Sequence, residues 1–377
     1  MKYNCLNNIS KAGLVHLSSD YSETTDIKDA DVVFVRSAKM DEVEVGEKLL
    51  AVARAGAGVN NIPHADYAKK GIVVFNTPGA NANAVKELVI AMMLMASRDL
   101  NGGIAWVKEN AADPDIAKTA EKAKKAFAGG EIMCKTLGVV GLGAIGRLVA
   151  NAAVDLGMNV IGYDPFLSVD GALALDPMVR HVTDIADLYK DSDFITLHLP
   201  AIASTKGMVN ADAFAQMKQG VVLVNCARDA IVDEDALLAA IASGKVAKYM
   251  SDFANPKVAA AKGCVVTPHL GASTEEAEDN CAVMAVNEIR NFVENGNIVN
   301  SVNFPAVSLG GVKPGRVGVC FDGDADTTAK ILAAAGKIAA SASGLRGTIG
   351  YVLIDAESAD VAAIAAVPGV TKVRKIR

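Results

Sequence analysis

The chain has 377 residues and a formal net charge of −6, with 51% hydrophobic residues, 33 glycines and 11 prolines. This length predicts more than one domain, because single hydrophobic cores stop growing well before it. The apolar content predicts a globular chain rather than a disordered one. The negative charge gives no support for nucleic-acid binding, which needs a basic face.

Targeting and metal-binding signals are the next features to consider. The N-terminal residues MKYNCLNNIS lack a basic start followed by an apolar run, so we expect no signal peptide. The longest apolar run, LVIAMMLMA at 88–96, is too short to cross a bilayer and predicts a buried helix. The cysteines and histidines show no C-x-x-C or H-x-x-x-H spacing, so we expect reduced thiols in a cytoplasmic protein, no membrane contact and no metal.

The first hundred residues alternate predicted strands with helices. Strands are predicted in DVVFVRS (31–37), at the start of LLAVARAGAGVNNI (49–62), and at the start of 71–100, which continues through a polar turn into a long helix. This alternation predicts a parallel sheet with its working loops at the carboxyl ends of the strands. The polar segment 101–131 predicts an exposed helical connection.

A second alternating unit follows this connection. Its strands are predicted at 136–141, 159–163, 193–197, 221–225, about 247–252 and 264–267. A long helix is predicted at 274–296, with Thr274 at its start and Gly296 at its end. An extended linker, 297–315, leads to a tail whose strand, helix, strand, helix, strand pattern predicts a small α+β module.

The stretch LGVVGLGAIGR at 137–147 places Gly141, Gly143 and Gly146 between a predicted strand and a predicted helix. A second strand then ends in Asp164, about 20 residues on, as the dinucleotide-binding fingerprint requires. The glycines would allow a tight turn, a close approach to the pyrophosphate and helix packing on the sheet. A carboxylate would accept hydrogen bonds from ribose hydroxyls and repel a 2′-phosphate, which favours NAD over NADP. The alternative is a tight turn without a ligand.

Arg228 and His269 each come directly after a predicted strand of the second unit. The carboxyl ends of parallel strands converge on one crevice, so both side chains could lie beside a nicotinamide. Histidine suits a base that takes the hydroxyl proton, and arginine binds a carboxylate through two parallel hydrogen bonds. The alternatives are a surface ion pair of Arg228 with Asp229 or Asp233, and a loop histidine without a catalytic role.

The motifs VGLGAIGR, NCARDAIVDEDAL, TPHLGASTEEAE and RAGAGVNNI resemble those of the D-isomer-specific 2-hydroxyacid dehydrogenases, and the tail resembles an ACT domain, a regulatory module common on such enzymes. The resemblance covers essentially the whole chain. It implies a Rossmann-type NAD domain inserted in a flavodoxin-like α/β substrate domain, plus a C-terminal ferredoxin-like (ACT) α+β domain. The implied boundaries are 1–98 and 273–303 for the substrate domain, 99–272 for the NAD-binding domain and 314–377 for the ACT-like domain.

The resemblance also implies roles by position. Arg228 would bind the substrate carboxylate and carbonyl region, His269 would be the acid/base, and Asp252 is the third catalytic candidate. The implied cofactor-binding residues are Gly141, Gly143, Ala144, Ile145, Gly146, Asp164, Leu199, Pro200, Cys226, Ala227, Arg228, Asp252 and Gly271. The implied substrate-binding residues are Arg36, Lys39, Arg54, Ala57, Gly58, Val59 and Asn83.

Two sites depart from the family pattern near the catalytic candidates. Members usually carry a glutamate before a proline, paired to the histidine, whereas Asn255 precedes the proline here. An asparagine can orient an imidazole but stabilises the imidazolium less, so Asp252 or a glutamate of STEEAE is a candidate replacement. The motif arginine is normally followed by glycine, and here by Asp229, whose carboxylate would partly neutralise Arg228 if the side chains met.

The tail also departs from the family pattern. It reads CFDGDADTTAK where relatives carry an Asn-x-Pro-Gly-like turn that helps bind serine, the feedback inhibitor. Asp322, Asp324 and Asp326 could still meet a serine amine. We do not expect serine inhibition, and an assembly surface is the alternative role for the module.

The favoured hypothesis is NAD-dependent oxidation of 3-phosphoglycerate to 3-phosphohydroxypyruvate, the first step of L-serine biosynthesis, because Arg36 and Lys39 suit a phosphate. One alternative is reduction of another 2-keto acid, such as hydroxypyruvate, glyoxylate or pyruvate. Another is a non-catalytic, NAD-sensing regulatory protein. The expected partners are a small-molecule substrate and further copies of the chain, as a homodimer or homotetramer.

Overall fold

The computed structural model describes residues 1–376 and divides into two compact units. The first unit contains Met1–Asn81 and the chain from Glu275 onward, and the second contains Ala82–Thr274. The chain therefore leaves the first unit once and returns to it once. This is the order of one domain inserted in another, as the sequence predicts.

The first unit is built on a sheet of five parallel strands. In spatial order they are Ser22–Glu23, Lys2–Cys5, Val32–Val35, Ala51–Arg54 and Val73–Phe75. This is the flavodoxin-like order 2-1-3-4-5, and it confirms the predicted fold of this part. The helical segments are Lys11–Leu14, Ile27–Asp29, His64–Lys69, Glu275–Arg290 and a π-helical turn, Asn291–Asn295, that ends at Gly296 with φ of 79°.

The second unit is built on a sheet of seven parallel strands. In spatial order they are Cys264–Val266, Val246–Ser251, Val221–Asn225, Phe194–Leu197, Thr136–Val140, Asn159–Tyr163 and Arg180–Val182. The last six follow the Rossmann order, with Cys264–Val266 added at the outer edge. The sequence did not predict Arg180–Val182, a three-residue edge strand whose first two residues are exposed.

Helices surround this second sheet. They are Ala82–Ser97, Leu100–Glu109, Ile116–Ala123, Ala144–Asp155, Val169–Leu173, Ile185–Asp191, Ala211–Gln216, Glu234–Ala242 and Pro256–Ala260, with short 3₁₀ turns at Lys124–Ala126 and Asp229–Ile231. Ala82–Ser97 belongs to this unit because Val89, Met92 and Met93 pack in one core with the strand residues Val139 and Val224. The compact unit therefore begins at Ala82 rather than at residue 99. The boundary at 99 stays a prediction for the NAD-binding domain.

The C-terminal part of the first unit is a four-stranded antiparallel sheet. Its strands, in spatial order, are Ala340–Arg346, Ile349–Asp355, Arg316–Asp322 and Val370–Lys375, with helices Ala325–Ala334 and Val361–Ala365. The β-α-β-β-α-β order confirms the predicted ferredoxin-like fold. The strand Ala340–Arg346 was not predicted, because its sequence ASASGLR lacks the β-branched and aromatic residues typical of strands.

This antiparallel sheet is packed firmly against the rest of the first unit. Tyr351 and Leu353 share a hydrophobic core with Phe75 and Phe292, and the Tyr351 hydroxyl donates to the Gly296 carbonyl at 2.8 Å. Polar contacts from the edge strand add to this packing: Lys372 Nζ donates to the Leu49 carbonyl, and Arg374 donates to two carbonyls of the π-helical turn.

A buried ion pair fixes the segment that leads into the antiparallel sheet. Arg316, with no exposed surface, donates two hydrogen bonds to Asp355 at 2.6 and 2.9 Å. Its remaining donors reach the carbonyls of Asn295, Leu309 and Gly310. The guanidinium is therefore fully satisfied, as a buried charge requires.

No single helix among residues 1–376 has the length and apolar content needed to cross a membrane. One pair, Ala82–Ser97 with Leu100–Glu109, meets these two criteria when taken together, with a bend of 69° between the helices.

Candidate functional site

The glycine-rich turn of the second unit joins the strand Thr136–Val140 to the helix Ala144–Asp155. Gly141 has φ of 93°, and a Cβ there would lie 2.5 Å from the carbonyl oxygen of His198. A Cβ at Gly146 would lie 1.9 Å from the carbonyl oxygen of Gly141. Packing within the protein therefore requires both glycines. A Cβ at Gly143 would meet nothing within 4 Å, so this glycine leaves open space at the backbone.

The helix that follows this turn begins with unpaired donors. Gly143 is its N-cap and supplies no side-chain hydrogen bond. The first backbone N–H groups of a helix, here from Ala144 to Gly146, have no partner inside the helix and carry the positive end of its dipole. An anionic pyrophosphate close to Gly143 would satisfy these donors.

Asp164 ends the neighbouring strand Asn159–Tyr163 and lies at the glycine turn. Its Oδ2 accepts a hydrogen bond from the Leu142 amide at 2.9 Å, and its Oδ1 accepts one from the Phe166 amide at 2.9 Å. These two bonds fix the carboxylate, while each oxygen keeps a further acceptor site. The open backbone at Gly143, the free helix start and the fixed acid together fit a dinucleotide.

His198 and Leu199, in the segment TLHLP (196–200), lie next to this turn. Leu199 lies beside Gly141, since its Cδ2 is 2.9 Å from where a Cβ would stand there, and Pro200 is exposed. His198 contacts Thr196 through Nε2 at 3.0 Å, and its buried Nδ1 has no hydrogen-bond partner within the described chain. Burial lowers the pKa of His198 to about 3, so this imidazole is neutral under the turn.

The strand Val221–Asn225 delivers Arg228 to its carboxyl end. Arg228 is half-buried and donates from Nη1 to the Ala227 carbonyl at 2.6 Å. Asp229 and Asp233 each accept a hydrogen bond from a nearby backbone amide instead. Within residues 82–274, Arg228 forms no salt bridge within 4.0 Å, so the surface ion pair considered as an alternative is not formed.

Asp252 holds the loop that carries His269. The Asp252 carboxylate is 1% exposed and accepts hydrogen bonds from Thr267 Oγ1 at 2.5 Å and from the amides of Leu270 and Gly271 at 2.7 Å. Its main-chain carbonyl accepts a bond from the His269 amide at 3.0 Å. The structure therefore places Asp252 as an anchor for the loop backbone.

His269 itself is exposed at the end of this anchored loop. It has φ of 60°, an uncommon backbone angle for a residue other than glycine. Its ring lies 5.0 Å from the ring of Phe253, between centroids. A strained backbone at an exposed histidine is typical of a residue held for function.

Asn255 stands where the resemblance implies a glutamate, and both ends of its amide form hydrogen bonds. Its Nδ2 donates to Glu234 Oε1 at 2.6 Å, and its Oδ1 accepts from the Val258 amide at 3.1 Å as a helix cap. Sequence reasoning did not single out Glu234, which lies in the motif VDEDAL. In the first unit, Glu278 of STEEAE pairs with Arg36 Nη1 at 2.6 Å.

The first unit presents a turn of unpaired amides after the strand Ala51–Arg54. Gly56 donates to Thr77 Oγ1 at 2.8 Å, and the Thr77 amide donates back to the Gly56 carbonyl at 3.1 Å. Asn76 Nδ2 donates to the Ala57 carbonyl at 2.6 Å. Among residues 1–376, the amides of Ala57, Gly58 and Val59 donate to no acceptor. Three consecutive free donors suit an anionic group.

The loop carrying Arg36 is organised by a residue that no motif indicated. Asn7 Oδ1 accepts hydrogen bonds from the amides of Arg36, Ser37 and Ala38 at 2.8 to 3.0 Å. Arg54 Nε donates to the Arg36 carbonyl at 3.0 Å, which brings this loop to the neighbouring strand. Lys39, further along the loop, is exposed.

Three other predicted site residues, Asn83, Cys226 and Ala227, lie in the second unit. Asn83, on the helix Ala82–Ser97, donates to Glu87 and accepts from Lys86. Cys226 and Ala227 are buried. Burial and the nearby Asp252 charge raise the pKa of the Cys226 thiol.

Comparison with known proteins places these features in a family. A family model described as the NAD-binding domain of D-isomer-specific 2-hydroxyacid dehydrogenases matches residues 90–271. A hydroxypyruvate reductase of Thermotoga maritima is 38% identical over 275 residues, which cover 70% of this chain and 85% of that protein. A D-3-phosphoglycerate dehydrogenase of Methanocaldococcus jannaschii is 38% identical over 300 residues, which cover 76% of this chain and 55% of that protein.

A solved structure agrees with this assignment. The NAD⁺-bound 3-phosphoglycerate dehydrogenase of Entamoeba histolytica is 29% identical, with a TM-score of 0.61, and the match covers 80% of this chain and 98% of that one. This chain spans about half the length of the archaeal phosphoglycerate dehydrogenase that it matches. The predicted NAD cofactor is confirmed by the NAD-binding family model. The chain therefore belongs to the D-isomer-specific 2-hydroxyacid dehydrogenases, a family of NAD-dependent oxidoreductases, as its motifs predict.

Proposed function

We propose that this protein is a D-3-phosphoglycerate dehydrogenase, which oxidises 3-phosphoglycerate to 3-phosphohydroxypyruvate at the start of L-serine biosynthesis. The observation that carries the proposal is the set of anion-binding groups in the first unit. The free amides of Ala57, Gly58 and Val59 suit a carboxylate, and Arg36 with Lys39 suits a phosphate. A substrate with two anionic groups matches this arrangement better than a substrate with one.

The second unit supplies the groups for the reaction itself. His269 takes the hydroxyl proton during oxidation and returns a proton during reduction. Arg228 binds the carboxylate and carbonyl region, and its lack of an acidic partner within residues 82–274 leaves its charge available. The glycine turn and Asp164 would hold NAD, which would supply the hydride acceptor. Asp252 keeps the His269 loop in place.

The ion pair between Arg36 and Glu278 has a direct consequence for the phosphate site. Both side chains are about two-fifths exposed, at 38% and 44%, so the pair is weakly held and can open. A phosphate carries more charge than one carboxylate and accepts several hydrogen bonds, so it competes for the guanidinium. A phosphorylated substrate must therefore bind Arg36 more favourably than Glu278 does.

The same ion pair favours a second candidate function. If Glu278 keeps Arg36 neutralised, the phosphate has no strong cation, and an unphosphorylated 2-keto acid becomes the better substrate. The 38% identity to a hydroxypyruvate reductase, of which this chain covers 85%, supports this alternative.

Steady-state NADH oxidation separates the two candidates. Purified protein is supplied with 3-phosphohydroxypyruvate, hydroxypyruvate, glyoxylate or pyruvate, and kcat/KM is measured for each. We expect kcat/KM for 3-phosphohydroxypyruvate to exceed that for each of the other substrates by roughly tenfold or more, because one charge-assisted contact contributes about that factor. Preference for hydroxypyruvate or glyoxylate would establish the second candidate. No turnover with any of them would favour a non-catalytic, NAD-sensing role.

We propose a homodimer or homotetramer on the basis of an apolar surface in the second unit. Leu100, Ile104 and Val107 on the helix Leu100–Glu109 are 43%, 56% and 50% exposed. They border a pocket of about 510 Å³ that also contains Trp106 and Phe127. Apolar patches of this kind mark association surfaces. Light scattering should give a multiple of the 39.0 kDa chain mass.

We also propose that the C-terminal module is an ACT domain in a cytoplasmic enzyme, without serine inhibition. The ferredoxin-like order supports the module type. Two of its acidic residues are committed locally, because Asp324 caps the helix Ala325–Ala334 and Asp326 pairs with Lys330 at 2.7 Å. These contacts leave less acidic charge for an amine ligand.

A further inference from the structure

A pocket in the first unit lies outside the groups used by the proposed reaction. Its volume is about 560 Å³, and it lies along the helix Glu275–Arg290. The lining includes apolar side chains and amides, with one acid among them: Val283, Met284, Val299, Asn287, Asn300 and Glu288. One wall is therefore suited to a carbon chain, and the acid provides a single site for a polar group.

Glu288 is the unusual member of this lining, because it is only 8% exposed. Its Oε1 accepts a hydrogen bond from Asn300 Nδ2 at 2.5 Å. Its Oε2 is buried and has no hydrogen-bond partner within residues 1–376. A buried carboxyl oxygen without a donor is costly, so the group is incomplete as it stands.

Glu288 also lacks a partner for its negative charge. Burial raises its pKa to about 7, against the opposing effect of the Asn300 hydrogen bond. The carboxyl is thus substantially ionised at neutral and higher pH. No lysine, arginine or histidine in the described chain forms a salt bridge with it within 4.0 Å. A buried anion is stabilised best by a cation that also donates hydrogen bonds.

We propose that this pocket binds a small organic cation, whose ammonium group pairs with the Glu288 carboxylate once the side chain turns Oε2 towards the pocket, and whose carbon chain lies against Val283, Met284 and Val299. An ammonium supplies both features that Glu288 lacks, a donor and a positive charge. A neutral alcohol supplies only the donor. A metal ion is disfavoured, because the described residues contain no group of three or more His, Cys, Asp or Glu side chains able to hold one. The proposal is independent of the reaction assigned to the protein.

The test uses the full chain with ¹³C-methyl-labelled methionine and n-butylammonium chloride as the probe. The Met284 methyl resonance is assigned with the Met284→Leu variant and followed during titration at about pH 8. We expect a saturable shift, and an affinity about tenfold higher than for n-butanol, which has the same carbon chain. Glu288→Gln should remove that difference. Glu294→Gln, which changes an acid paired with Arg290 by the end of the same helix, should leave it unchanged.

A second measurement needs no variant. The wild-type titration is repeated at about pH 5, where Glu288 is protonated and the probe is still a cation, and the affinity should fall by roughly tenfold. Three results would overturn the proposal: no saturable shift, equal affinity for the ammonium and the alcohol, or the same affinity at both pH values.

Discussion

The two turns assigned to ligand binding are held in different ways. The turn at 141–146 in the second unit is held by close backbone packing and by a residue of the same fingerprint, since Gly146 packs on the Gly141 carbonyl and Leu142 donates to Asp164. The turn at 56–59 in the first unit is held by side chains outside its own motif RAGAGVNNI, those of Thr77 and Asn76. The first turn should be sensitive to a single methyl group, and the second to the loss of one of these side chains.

The largest expected effect is at His269, whose loop depends on Asp252. His269→Ala should lower kcat by about 10²- to 10⁴-fold, the usual contribution of a general acid or base. NAD affinity should change little, because the glycine turn is untouched. Stopped-flow measurement of NADH oxidation gives kcat, and fluorescence titration gives the NADH affinity. Normal turnover in the variant would show that another group transfers the proton.

Arg36 tests whether the first unit binds a phosphate. Arg36→Gln should raise KM for 3-phosphohydroxypyruvate by roughly 10- to 100-fold, because one charge-assisted contact is lost. KM for hydroxypyruvate should stay nearly constant. Lys28→Gln removes a different surface cation that also pairs with an acid, Glu44, and serves as the matched control. An unchanged KM for the phosphorylated substrate would place the phosphate elsewhere.

Two substitutions separate the cofactor-binding role of the glycine turn from its packing role. Gly143→Ala should weaken NADH binding by about tenfold while leaving Tm nearly unchanged, because its Cβ meets open space in the protein alone. Gly146→Ala should instead lower Tm strongly, since its Cβ would lie 1.9 Å from a carbonyl oxygen. Gly311→Ala, also in open space, is the control. Full NADH affinity in Gly143→Ala would mean that no ligand approaches this backbone.

Thr77 tests the turn of the first unit. Thr77→Val removes the acceptor of the Gly56 amide at nearly constant volume. Loss of this bond, roughly 1 kcal/mol, should raise KM for the keto acid about fivefold with kcat little changed. Thr77→Ser keeps the acceptor and should restore the wild-type KM. Equal KM values in all three proteins would show that the turn does not contact the substrate.

The last prediction concerns the stability of the fold at Glu288, not activity. Its pKa of about 7 in the folded protein lies above the ordinary value of 4.5, so its contribution to stability is complete below 4.5 and is lost as the pH rises through 7. Glu288→Gln removes this loss. The variant should therefore gain at most about 3 kcal/mol relative to wild type between about pH 4.5 and pH 8. Urea unfolding at both pH values measures it, with the exposed Glu109→Gln as control. An equal difference between variant and wild type at both pH values would contradict the assignment.

The strands show how much of the fold the sequence could predict. Most strands of the two parallel sheets were recognised because buried strands form continuous apolar runs, such as Val32–Val35 and Val221–Asn225. Four strands were missed because short or partly exposed strands lack that pattern: Lys2–Cys5, Ser22–Glu23, Arg180–Val182 and Ala340–Arg346.

The same reasoning applies to the candidate site. Gly141, Gly143 and Asp164 could be singled out from the sequence, because they belong to one fingerprint of known spacing. Asn7 and Thr77 could not, because no sequence pattern marks a side chain that organises the backbone of another loop. The engagement of Asn255 with Glu234 likewise depends on contacts that only the folded chain shows.

The central claim is that the amides of Ala57, Gly58 and Val59 bind the substrate carboxylate. The most direct measurement follows these three amide resonances in deuterated, ¹⁵N-labelled protein during titration with 3-phosphoglycerate in the presence of NADH, which prevents turnover. The account predicts saturable downfield shifts at all three amides and no shift at Gly311. If the substrate binds with unchanged resonances at these amides, the turn is not the carboxylate site.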